Sequence, residues 1–209
     1  LTCDLVTIHV PLSASGQYPT LNIINESHIE KLSNKILINT SRGEVVSEEL
    51  VLQSQDLIYI ADVWMNEPSP SLKMIETSYI ATPHIAGYSI EGRLNGAKII
   101  AKECAKIFKC LKPSETKTLQ PSAWPYDLNN IVRDIHNVSF PISLFNSELD
   151  LKSISDSFKK LSIANLESGF RFQRESHSPR NDFNSFSFKG ISVLDQELDL
   201  GFFNELGGA

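Results

Sequence analysis

Long hydrophobic runs, basic clusters and cysteines are what this sequence has little of. No stretch reaches the roughly 18 uninterrupted apolar residues of a membrane-spanning helix, so no membrane partner is expected. Lys and Arg number 19 against 25 Asp and Glu, a formal net charge of −6, and they form no run. An acidic chain of that kind is a poor match for the phosphates of nucleic acid or for an anionic membrane surface. The 3 cysteines, Cys3, Cys104 and Cys110, cannot all pair and lack zinc-ligand spacing. That argues against a disulfide scaffold or a metal module and fits a reducing cytoplasm. None of the 10 glycines builds the Gly-x-Gly-x-x-Gly loop that cradles a pyrophosphate. No internal repeat is visible.

What is present is a chain of 209 residues, 41% of them hydrophobic, enough for a sizeable core. Its first half alternates short apolar runs with helical patterns. Leu5 to Val10, Ile36 to Ile38, Leu57 to Ala61 and Tyr79 to Ala81 read as strands. They are apolar at both alternating positions, the pattern of a parallel sheet covered on both faces. Short helices are expected near Glu26 to Leu32 and near Ser47 to Gln53, with Ser47 placed to cap the second. The alternation predicts an α/β fold, part of a doubly wound parallel sheet. A long helix is expected from Ile90 to Leu111, where Leu94, Ala97, Ala101, Cys104, Phe108 and Leu111 share one face, making Cys104 a core residue. Pro113, Pro121 and Pro125 mark residues 113–125 as a linker. Residues 126–209 then read as a small α+β domain, with a helix over Asp150 to Leu161 and a strand around Phe183, Phe186 and Phe188. Leu1 opens the chain inside what reads as a strand, so a piece of a longer protein is expected.

Three segments gather chemistry at strand ends, where an open α/β sheet places its ligand crevice. In Asn39-Thr40-Ser41-Arg42-Gly43 an arginine follows a buried strand and precedes a glycine, which suits a carboxylate or phosphate clamp. In Asp62-Val63-Trp64-Met65-Asn66-Glu67-Pro68 one acid ends a strand and a second precedes a proline. In Thr82-Pro83-His84-Ile85-Ala86-Gly87 a histidine stands between a proline and a small-residue turn. Each has a plainer reading when taken alone: a surface arginine, a turn-forming aspartate with a solvated glutamate, a structural histidine. His9 and His28 have no such context and read as structural or solvated. Together, arginine, carboxylate and histidine form a coherent set. The histidine exchanges a proton near neutral pH, the carboxylate holds its tautomer, and the arginine pins a substrate carboxylate.

In this order the three motifs resemble those of the D-isomer-specific 2-hydroxyacid dehydrogenases over about residues 4–112. The resemblance implies that residues 1–112 are the C-terminal part of a Rossmann-like NAD-binding domain. It implies catalytic roles for Arg42, Glu67 and His84, and NAD contacts from Val10, Thr40, Ser41, Arg42, Asp62 and Gly87. Asp62 would hold the nicotinamide amide, and Tyr88 would reach the substrate. Gly16 to Thr20, Tyr88 to Gly92 and the extension beyond Pro113 resemble members that act on a small phosphorylated hydroxy acid and carry a C-terminal dimerisation domain. A homodimer is therefore expected. The alternatives are a relative acting on phosphoglycerate, lactate or glyoxylate, or an inactive remnant that only dimerises.

Overall fold

The computed structural model describes residues 3–108, 122–123, 149–177, 180 and 186–187. They belong to two compact units, Leu1–Ala86 with Asp150–His177, and Gly87–Leu149 with Ser178–Ala209.

The first unit is built on four parallel strands, β1 (Leu5–Ile8), β2 (Ile36–Asn39), β3 (Ile58–Ala61) and β4 (Ile80–Ala81), paired in that order. The connections carry α1 (Ile29–Leu32), α2 (Glu48–Gln53) and α3 (Leu72–Thr77). Strands added one after another in a single direction by right-handed crossovers keep their helices on one face. Burial follows that rule. Ile8, Leu37, Asn39, Tyr59, Ala61 and Ala81 are buried with Leu32, Leu50, Val51, Met74 and Ile75 from the helices and their ends. The opposite alternation, Leu5, Ile36, Ile38, Ile58, Ile60 and Ile80, is half-buried or exposed. Among the described residues the core helices α1, α2 and α3 pack on the buried side, and the other face carries the half-buried or exposed alternation. Ser47 and Ser71 cap α2 and α3 by accepting from Leu50 N and Met74 N.

The compact units divide the chain differently from the boundaries expected at 112 and 126. Residues 150–177 fold with the sheet, as α5 (Leu151–Phe158) and α6 (Leu166–Glu175). The reason lies at the sheet edge. Among the described residues no strand lies beyond β4, and the Ala81 N–H donates to Ser155 Oγ at 3.0 Å. The Phe158 ring stands 5.7 Å from that of Trp64 and 5.6 Å from that of Phe170, and all three are buried. Asp150 caps α5 by accepting from Ser153 N, at 2.9 Å.

The second unit contains α4 (Ile90–Phe108) and a short parallel pair, β5 (Ser122–Ala123) with β6 (Phe186–Ser187). The helix forms where its period predicts, but none of its residues is buried, and Cys104 is half-buried rather than core. Leu111, Phe183, Phe188 and most of the 113–125 linker lie outside the described residues.

Candidate active site

The site is built at the C-terminal ends of β2, β3 and β4. At the end of β2 stands Asn39, wholly buried where the strand pattern calls for an apolar residue. Its Oδ1 accepts from Ser41 N at 3.1 Å and Ser41 Oγ at 3.0 Å, and its Nδ2 donates to Arg42 O at 2.9 Å. This carboxamide shapes the turn that carries Arg42 out of the core. The exposed Arg42 donates from Nη1 to Ser41 O at 2.6 Å, and among the described residues no carboxylate pairs with it. Gly43 then lies directly against the backbone of Trp64 and Met65, where a Cβ would overlap their atoms. Glycine is required there by close approach, and the contact joins the Arg42 turn to the loop after β3. Gly43→Ala is expected to lower unfolding stability by about 1–3 kcal/mol, the usual cost of overpacking, in a denaturant titration.

The loop after β3 carries both acids. Glu67 Oε1 accepts from Trp64 N at 2.8 Å, and Glu67 Oε2 accepts from His84 Nδ1 at 2.7 Å. The carboxylate thus fixes the ring with its Nδ1 proton inward, and Nε2 is left for proton exchange. His84 sits at φ +58°, in the left-handed region that non-glycine residues seldom occupy. Backbone held there has to be over-determined by its surroundings. Asp62 supplies much of that restraint: its Oδ1 accepts from Thr82 Oγ1 at 2.6 Å and Ile85 N at 2.7 Å, its Oδ2 from Ala86 N at 2.9 Å. The Trp64 indole adds a bond from Nε1 to Thr82 O at 2.9 Å.

Of the residues singled out in the sequence, Glu67 and His84 are in direct contact, and Asp62 braces the loop that bears His84. Ser41 is buried, while Val10 and Thr40 are half-buried near the ends of β1 and β2. Gly87 and Tyr88 begin the second unit. There the Arg93 guanidinium lies 4.9 Å from the Tyr88 ring centre, and a Cβ on Gly87 would meet no atom. Three residues given no role from sequence are structural parts of the site: Asn39, Trp64 and Thr82. The signal for Asn39 was a polar residue at an inward strand position; for Trp64 and Thr82 the local sequence carries none.

Residues 1–86 match the family model described as D-isomer specific 2-hydroxyacid dehydrogenase, NAD binding domain. Over that segment the chain is similar to the NAD-binding domain of this family. Two relatives named erythronate-4-phosphate dehydrogenase match nearly the whole chain. The Shewanella halifaxensis protein is 29% identical over 207 residues, 96% of this chain and 54% of its own length. The Tolumonas auensis protein is 30% identical over 208 residues, 97% and 54% respectively. A third of that name, from Hahella chejuensis, is 44% identical over 111 residues, 51% of this chain and 29% of its own. The chain spans about half the length of the first two.

The cofactor of this family's domain is NAD, and the residues present suit its nicotinamide end. Asp62 Oδ2 accepts a single hydrogen bond, from Ala86 N, and retains capacity for an amide N–H. The glycine loop for the pyrophosphate is not in this sequence.

Burial pushes the Asp62 carboxyl up from its ordinary range, partly opposed by the bonds from Thr82, Ala86 and Ile85 and by the nearby His84 charge. A carboxyl whose folded pKa lies above its unfolded value binds its proton more tightly in the native state. Its contribution to stability is complete below the unfolded pKa and is lost as pH rises through the folded one. The stability of the native chain relative to Asp62→Asn is thus expected to fall with rising pH across that window. Paired denaturant titrations at several pH values measure it; a difference that is flat or rises would contradict the assignment.

Proposed function

We propose that the protein to which this chain belongs oxidises a small phosphorylated 2-hydroxy acid with NAD, namely 4-phospho-D-erythronate to 2-oxo-3-hydroxy-4-phosphobutanoate, in pyridoxal 5′-phosphate biosynthesis. The observation that carries this reading is the 2.7 Å bond between His84 Nδ1 and Glu67 Oε2, beside a turn presenting an Arg42 guanidinium with no carboxylate partner among the described residues. The name shared by the relatives supports the choice of substrate.

NAD, when bound, would supply the acceptor for the hydride that leaves C2. His84 takes the 2-hydroxyl proton at Nε2 as the C2 carbonyl forms, and Glu67 stabilises the resulting imidazolium through Nδ1. Arg42 anchors the substrate carboxylate by a two-pronged contact and polarises the adjacent carbon–oxygen bond. Asp62 and Thr40 would contact the nicotinamide end, with Val10 and Ser41 at the strand ends behind it. Gly87 and Tyr88 are proposed to approach cofactor and substrate respectively. In the reverse direction His84 starts protonated and donates.

The test is a substrate panel on the protein encoded by the complete gene. 4-Phosphoerythronate is expected to give the highest kcat/KM for NADH formation. A higher value with 3-phosphoglycerate, lactate or glycolate would replace the substrate while leaving the chemistry in place. The reading includes a reducing cytoplasm, which suits the free thiols of Cys3 and Cys104. It also includes a homodimer involving residues beyond 112 and the exposed apolar side chains of α4, Leu94, Ile100, Ile107 and Phe108. Sedimentation equilibrium is expected to give twice the protomer mass; a monomer at micromolar concentration would remove that part.

A further inference from the structure

We propose that Trp64 is a positioning residue for the Glu67–His84 pair, acting through two separate N–H groups. The proposal rests on the reading above that this pair moves the substrate proton. The Trp64 backbone N–H holds Glu67 Oε1 at 2.8 Å, which turns Oε2 toward His84. Its indole Nε1–H holds the Thr82 carbonyl at 2.9 Å, and the same carbonyl accepts from His84 N at 3.0 Å. One residue therefore ties down the loop bearing the carboxylate and the loop bearing the imidazole.

Both loops need such restraint. Asn66, next to Glu67, has φ +60°, and His84 has φ +58°, so each partner is held by backbone in a conformation that local preference disfavours. The indole is held in place because Trp64 is buried and its ring packs against that of Phe158. Buried bonds of this kind resist competition from water and set geometry well. Phenylalanine at this position would fill the same apolar space and keep the backbone N–H, but would leave Thr82 O without its indole donor. The consequence falls on the orientation of His84, more than on the core.

The 209-residue chain itself supplies the readout. A histidine N–H bonded to a carboxylate gives a low-field proton resonance by NMR, and its disappearance in Glu67→Gln identifies the His84 signal. In Trp64→Phe this resonance is expected to be lost or broadened by exchange with water. Phe158→Leu loosens the packing of the same indole without removing its N–H, and is expected to lose stability yet keep the resonance. In the complete enzyme Trp64→Phe is expected to lower kcat about tenfold or more with KM little changed, as misplacement of a reacting group does. A Trp64→Phe resonance as sharp as the native one would make Trp64 a core residue only. Equal loss in Phe158→Leu would assign the effect to packing and overturn the proposal. A native chain with no Glu67-dependent signal would contradict the pair itself, a failure distinct from that of Trp64.

Discussion

His84→Ala is expected to lower turnover of the complete enzyme roughly 100- to 10,000-fold, the range that a positioned acid–base group supplies. The thermal midpoint should change little. His84 is only half-buried, and its loop is held by bonds from Thr82, Ile85 and Ala86 to Asp62, none of which involves the imidazole. His84→Asn is a useful second variant, because asparagine tolerates the positive φ at this position. On the proposed roles, both substitutions remove the group that takes the hydroxyl proton and leave Arg42 to bind substrate, so kcat should fall much more than KM rises. Turnover near that of the native protein in either folded variant would sink the assignment of His84.

The second large effect is on stability. Phe158→Ala is expected to cost about 3–5 kcal/mol in denaturant unfolding, the usual range for emptying a buried aromatic site. Phe158 is wholly buried between Trp64 and Phe170. Phe172, on the adjacent helix, is 70% exposed. Phe172→Ala is accordingly expected to stay within about 0.5 kcal/mol. If the two losses were alike, residues 150–177 would not be covering the edge of the sheet.

The strands were legible because Ile36 to Ile38 and Leu57 to Ala61 are apolar runs bounded by polar residues, and each forms within one residue of its expected place. The six-residue α3, Leu72–Thr77, is too short to show a helical period in the sequence, and its signal is the cap from Ser71 alone. Which helices would cover the sheet was not readable. The bond from Ala81 N to Ser155 Oγ joins residues 74 positions apart, and nothing in the local pattern of α5 names β4 as its neighbour. α4 shows the reverse case, a clear apolar stripe that predicts a helix correctly but says nothing about what buries it.

At the site, Glu67 and His84 were legible because each follows a strand of one parallel sheet, and parallel strands deliver their C-terminal loops to a common edge. Their 2.7 Å contact depends on Trp64, Asn66 and the left-handed backbone at His84, which no spacing rule encodes. Asp62 has a structural role besides the contact proposed for it. Family resemblance gives it to the nicotinamide, while its three accepted bonds make it the brace of the His84 loop.

The central claim is that this site supports hydride removal from C2 of a hydroxy acid while His84 takes the hydroxyl proton. The most direct test supplies the complete enzyme with NAD and 4-phosphoerythronate deuterated at C2, then analyses the reduced cofactor by mass spectrometry. The account predicts one deuterium in each reduced cofactor, with transfer lost in His84→Ala. Reduced cofactor free of deuterium, or no reduction with any 2-hydroxy acid tried, would contradict it.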